Sequence, residues 1–156
     1  MVGCGYVVGT PYRQDVRTVH VPTFQNETFR RGFETRLTEA VQKQITQRTP
    51  YRLAKSPGAD TRLTGRIISI DKRVANQNRY DDPRELELSI AVEIVWEDLR
   101  TGQVIAQQSV PLNAQTAHAV SIASFAPETG QSLATATQDA VDQLARQIIG
   151  MMEAPW

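Results

Sequence analysis

Cysteine occurs once in this chain of 156 residues, at position 4, and histidine twice, as His20 and His118. One cysteine excludes an internal disulfide framework and any Cys-x-x-Cys metal site, and no His or Cys stands at metal-ligand spacing. Aromatic residues make up 6% of the chain, and lysine supplies only 3 of its 17 basic side chains. Long apolar runs are lacking too. Ile67-Ile68 and Ile94-Val95-Trp96 are short, and the latter is held between Glu93 and Glu97. A membrane-spanning helix needs about 20 mostly apolar residues, so none is expected. Heptads and internal periods are also missing, which excludes coiled-coil and repeat architectures. What is there, 40% hydrophobic and 22% charged, has the composition of a folded globular chain. The length suits one domain, since single cores hold roughly 100–200 residues.

Charge cancels overall but not along the chain. Residues 1–84 hold 15 Lys and Arg against 8 Asp and Glu, and residues 85–156 hold 2 against 9. Arginine dominates the basic set, and guanidinium groups bind phosphate and carboxylate through paired hydrogen bonds. The first half is therefore able to face an anionic partner. Alternatively, folding interleaves the halves and leaves no patch, because topology rather than chain order decides which charges become neighbours.

Val2-Gly3-Cys4 resembles the end of a bacterial lipoprotein signal, in which cleavage leaves cysteine first and lipid is attached to its sulfur. The charged and apolar parts of such a signal would precede Met1, so this reading expects a start upstream. The competing reading is an inert thiol in a frayed terminus. Tyr6 to Val16, interrupted by Gly9 and Pro11, shows no helical period and reads as a tether. Residues 1–16 are thus assigned to the lipobox remnant and tether, and residues 17–156 to a single domain.

Periodicity then alternates. Arg17 to Val21 reads as a short strand stopped by Pro22. Asn26 or Thr28 is positioned to cap a helix with apolar stripe Phe29, Phe33, Leu37, Ala40, Val41 and Ile45, ended by Pro50. Tyr51-Arg52-Leu53 is a brief extended piece. Arg62 to Val74 is a long strand and Ala75 to Arg84 a polar loop. From Leu86 to Trp96 apolar and polar residues alternate strictly, placing Glu87, Glu93 and Glu97 on one solvated face. Asp98 to Gly102 is a turn, Val104 to Val110 the returning partner strand, and Pro111 to Gly130 a loop. Ser132 to Met152 forms a second amphipathic helix, with Leu133, Ala140, Val141, Leu144, Ile148 and Met151 facing inward. The fold expected is α+β, order β-α-β-β-β-α. It is a two-layer sandwich of about four mostly antiparallel strands with both helices on one face. The helical crossover makes the first strand parallel to a neighbour.

Catalytic patterns fail. There is no nucleophile–base pair, no glycine-rich phosphate loop and no metal set, so neither an enzyme nor a cofactor is expected. The few aromatics are not interleaved with the basic residues, which argues against nucleic-acid binding. A periplasmic or membrane-anchored module for an anionic ligand or glycan stays open.

Three segments in order resemble the lipopolysaccharide-assembly lipoprotein (LptE-like) family. They are Val2-Gly3-Cys4-Gly5-Tyr6; Val19 to Thr28 running into Leu37-Thr38-Glu39-Ala40-Val41; and Leu63-Thr64-Gly65-Arg66-Ile67 through the Leu86–Trp96 strand to Gly102. The resemblance implies a non-enzymatic protein on the periplasmic face of the outer membrane, held there by lipid on Cys4. It implies a large β-barrel translocon that the protein plugs and helps assemble, and contact with lipopolysaccharide. The family's lipid-contacting basic residue lies in the loop between the second and third strands. Here that loop carries Arg79, approached by Lys72 and Arg73. A second basic contact expected near the start of the last helix has no match, since no Lys or Arg occurs between Arg100 and Arg146.

Overall fold

A computed structural model describes residues 11–77, 83–105, 117–125 and 132–153. The elements run β1 Thr18–His20, β2 Gln25–Asn26, α1 Phe33–Arg48, β3 Arg52–Leu53, β4 Thr61–Gln77, β5 Pro83–Asp98, β6 Ala117–Phe125 and α2 Leu133–Gly150. The strict alternation of the sequence becomes β5. Leu88, Ile90, Val92, Ile94 and Trp96 are buried in one core, together with Leu37, Val41 and Ile45 of α1 and Ala140, Val141, Leu144 and Ile148 of α2. Both helices therefore cover the same face of the sheet. Glu93 and Glu97 lie on the other face, left open.

Among the described residues the sheet has six strands, in the order β3-β1-β4-β5-β6 with β2 beside β4. The expectation of about four mostly antiparallel strands is corrected on both counts. β1 pairs in parallel with β3 and β4, and β2 in parallel with β4; only β4–β5 and β5–β6 are antiparallel. Three of the six strands are two or three residues long. Pieces that short carry too few residues for a period to show. The parallel setting of β1 follows from its crossover through α1, as expected.

A register shift between Ile67 and Ser69 explains how β4 uses its isoleucines. Ile67 faces Val92 and Ile70 faces Ile90, both on the core side, although they are three residues apart. The extra residue is Ile68, left 41% exposed.

Four further expectations change. The helix begins at Phe33 instead of near Phe29. Asn26 and Thr28 do not cap it but fold a turn: Thr28 N–H donates to Asn26 Oδ1 at 2.9 Å and Arg30 N–H to Thr28 Oγ1 at 3.3 Å. Short polar side chains that bond locally compete with helix in this way. Gly32, at φ 91°, then turns the chain into α1. The polar loop expected over Ala75–Arg84 contracts, because β4 runs to Gln77 and β5 starts at Pro83. The expected partner strand Val104–Val110 is met only at its start. Val104 bridges antiparallel to Glu97 and Ile105 N–H donates to the Trp96 carbonyl oxygen at 2.7 Å, residues 106–110 lie outside the described ones, and from Ile94 to Leu86 the neighbour of β5 is β6, inside the segment read as a loop. Composition hid it: Ala117, Ala119 and Ser121 stand opposite Ile94, Val92 and Ile90, so the positions in register with the core side of β5 carry no large apolar residue to mark them. In α2, Ser132 caps Thr135 N–H, while Leu133 is exposed and Met152, rather than Met151, is fully buried.

Candidate functional site

The β4–β5 hairpin sets the long axis. Its strands pair from Thr61 with Asp98 to Gln77 with Pro83. Sixteen steps of a strand span roughly 50 Å. The short strands and the start of the described chain gather at the Thr61 end, where β1 pairs with Thr61 and Arg62. There Tyr12, bridged to Glu153, sets its ring edge-on to Tyr51 at 5.8 Å, and Tyr51 leans on Trp96 at 6.1 Å. From Tyr12 onward the stretch read as a tether thus lies against the body, with Val16 buried.

Of the basic residues the sequence singled out, Lys72 and Arg73 are exposed on β4 toward the opposite end. They are strand residues and project to opposite faces. Lys72 is in register with Leu88 on the helix side, and Arg73 with Glu87 on the open side. Beyond them Val74 and its partner Leu86 continue the helix-side row, and Val74 is 43% exposed. Arg79 and Cys4 lie outside the described residues.

The open face holds charges that sequence reading treated as merely solvated. Arg62 Nε donates to Glu97 at 2.6 Å, and Arg66 bonds Glu93 and, at 2.9 Å, Glu27. The available signal was the spacing of Arg62, Thr64 and Arg66, which share the period-two face opposite the glutamates. Next to Arg66 the parallel neighbours of β4 leave a gap between β1 and β2. Phe24 packs on Gly65 from the core side, and Pro22, Thr23, Gln25, Thr64, Gly65, Arg66, Glu93 and Val95 line a cleft of about 500 Å³. With Arg66 already shared between two carboxylates, this cleft offers an anion little.

At the Thr61 end, Asp98 is buried and bonded to the Arg100 N–H at 2.8 Å and to its guanidinium at 2.9 and 3.1 Å. These bonds hold the Asp98 carboxyl at about 2 against an ordinary 3.8. Asp60 takes the N–H groups of Arg17 and Thr18, and those bonds keep its carboxyl low as well. His20 is half-buried with Nδ1 3.1 Å from the Ala54 carbonyl oxygen. These groups lock turns and strand ends together, and each already has its partner.

A family model described as LptE, lipopolysaccharide-assembly, matches residues 16–152. No curated protein matches in sequence. Solved structures share the fold. A hypothetical protein of Chlamydia trachomatis superposes with TM-score 0.59 at 12% identity, over 86% of this chain and 94% of that one. Lipoprotein B of Nitrosomonas europaea gives 0.54 at 13%, over 86% and 80%. Lipoprotein GNA1162 of Neisseria meningitidis gives 0.53 at 10%, over 86% and 99%. At such identities the likeness is one of fold. Among the described residues, no helix is long and apolar enough to cross a membrane.

Proposed function

Because the chain belongs to the LptE family of lipopolysaccharide-assembly proteins, we propose that it is a non-enzymatic outer-membrane lipoprotein. Lipid on Cys4 holds it to the periplasmic face, and it plugs and helps assemble the β-barrel lipopolysaccharide translocon. The observation that carries this is the family match over residues 16–152, which takes in every element of the fold. The layout supports it. A chain tethered at its N-terminal end presents the far end of the hairpin roughly 50 Å away, as a plug entering a lumen requires. Multiple acyl chains on one cysteine suit stable anchoring of a body in which, among the described residues, no helix is long and apolar enough to cross a membrane.

Lipopolysaccharide contact is assigned to Arg79, in the sequence between β4 and β5, with Lys72 and Arg73 on the approach along β4. Arginine suits a phosphorylated head group because its fork bonds two oxygens at once. Lys72 and Arg73, on opposite faces, flank such a group instead of sharing one contact.

The test is a pull-down of the tagged protein, made with a functional signal, from detergent-solubilised outer membranes of its host. A stoichiometric, heat-modifiable large β-barrel is expected in the eluate. Wild type should need detergent for extraction and Cys4→Ala should be released into the soluble fraction, while Arg79→Ala should weaken lipopolysaccharide binding by the purified protein. A lipoprotein eluting alone overturns the barrel partner and leaves a module for an anionic ligand or glycan. Unchanged binding by Arg79→Ala overturns that site.

A further inference from the structure

The turn between β2 and α1 holds an aromatic ring in the open. Phe29 is 104% exposed, the most exposed large apolar side chain among the described residues. Its backbone is tied down on both sides. Asn26 Oδ1 accepts from Thr28 N–H and Oγ1, Asn26 Nδ2 donates to the Arg30 carbonyl oxygen at 2.6 Å, and Glu34 accepts from Asn26 Nδ2 and from Gly32 N–H. Single exposed apolar residues are ordinary. This one is fixed in water by a network of bonds and flanked by two exposed arginines, Arg30 and Arg31. Among the described residues, Arg13, Arg62, Arg66 and Arg100 are ion-paired; the Arg30 and Arg31 guanidinium groups, like those of Arg17, Arg36, Arg48 and Arg52, take neither an ion pair nor a hydrogen bond, and Arg31 reaches Glu34 only through its charge.

Direction along the sheet adds a second observation. β2 runs parallel to β4, with Asn26 beside Ile67. The chain therefore enters the turn heading toward the far end of the hairpin, where the exposed stretch Asp71-Lys72-Arg73-Val74 follows exposed Ile68, with Glu87 in register opposite Arg73. The turn itself sets one exposed ring beside two exposed guanidinium groups. The ligand complementary to that set has an anionic head and an apolar body.

We propose that the Phe29-Arg30-Arg31 turn binds a phosphorylated lipid, the ring entering its acyl region while the two guanidinium groups take phosphate oxygens. An aromatic ring suits the boundary between head groups and chains, and each cation near an anionic lipid surface adds attraction. This site rests on the lipid-handling role proposed above and extends it to residues outside the β4–β5 connection.

The full chain is titrated with phosphatidylglycerol vesicles, phosphatidylcholine vesicles and purified lipopolysaccharide. Phe29→Ala is expected to weaken binding to the two anionic lipids about tenfold. The double variant Arg30→Ala/Arg31→Ala is expected to weaken it roughly 25-fold, with a shallower salt dependence. Phe29→Trp should gain a blue-shifted emission on binding. All three sites are exposed, so melting temperature serves as the folding control. A larger loss on lipopolysaccharide than on phosphatidylglycerol names lipopolysaccharide as the source, and equal losses name phosphorylated lipids in general. Unchanged lipid affinity in these variants, or variants that lose a co-purifying barrel while keeping lipid, overturns the proposal. Failure of the wild-type protein to bring down a barrel is a separate result, which refutes the plug and leaves the lipid titration to be read by itself.

Discussion

Asp98 ends β5 with its carboxylate turned from solvent onto the Arg100 backbone and guanidinium. Those bonds favour the charged form, which places its carboxyl at about 2 instead of 3.8. A carboxyl lowered by folding stabilises the native state above its unfolded value, and that contribution is lost as pH falls through the window from about 3.8 to about 2. Asp98→Asn should therefore melt below wild type at pH 7, and the gap should close as the pH approaches 2. Thermal scans across that range check it, and a gap of constant size would remove Asp98 from the acid response. Residues of this kind are half legible. The Asp98–Gly102 turn was readable from its composition, and Gly102 does sit at φ 70°. The Asn26 turn was not, because a helix cap and an isolated turn use the same side-chain chemistry.

Gly65 leaves room for the Phe24 ring to pack directly on β4. A Cβ built there would come within 2.5–2.9 Å of the buried Phe24 ring, and that ring has the core beneath it. Glycine is required here by the close approach of a side chain and not by backbone conformation. Gly65→Ala should cost about 1–3 kcal/mol by overpacking. Urea unfolding measures it, and Phe24→Leu in the same chain should recover part of the loss; wild-type stability for Gly65→Ala would mean that the ring moves freely. At this scale the sequence spoke clearly where a period was long, in β5 and in the two helices. It was silent on β6, whose small residues stand opposite the large ones of β5 and leave no large apolar side chain to mark that side.

Across the whole molecule the uneven halves of the charge sequence meet face to face. Arg62 and Arg66, from the basic half, are neutralised by Glu97 and Glu93 from the acidic half, because the hairpin folds one onto the other. Lys72 and Arg73 lie further along β4, in register with Leu88 and Glu87. That end of the hairpin contributes little to the core: among the described residues between Ile67 and Leu88, only Ile70 packs against the buried cluster, and it is partly buried. Replacing residues 76–84 with an Asn-Gly turn should leave melting within about 4 °C of wild type. The same change should lower lipopolysaccharide affinity at least tenfold if Arg79 carries the contact. Calorimetry and a binding titration read the two effects apart, and full affinity in the shortened chain would remove the hairpin end from lipid handling.

By itself the sequence determined the α+β class, the two helices, the core face of β5 and the resemblance that the family match over residues 16–152 bears out. Each rests on a period or an ordered set of segments that local chemistry writes directly into the chain. Tertiary structure alone decided the parallel pairing of three short strands, the place of β6, the sharing of Arg66 between two glutamates and the isolation of Phe29. All of these depend on which distant residues become neighbours. Backbone hydrogen bonds and ion pairs impose that choice without leaving a periodic trace in the residues that make them.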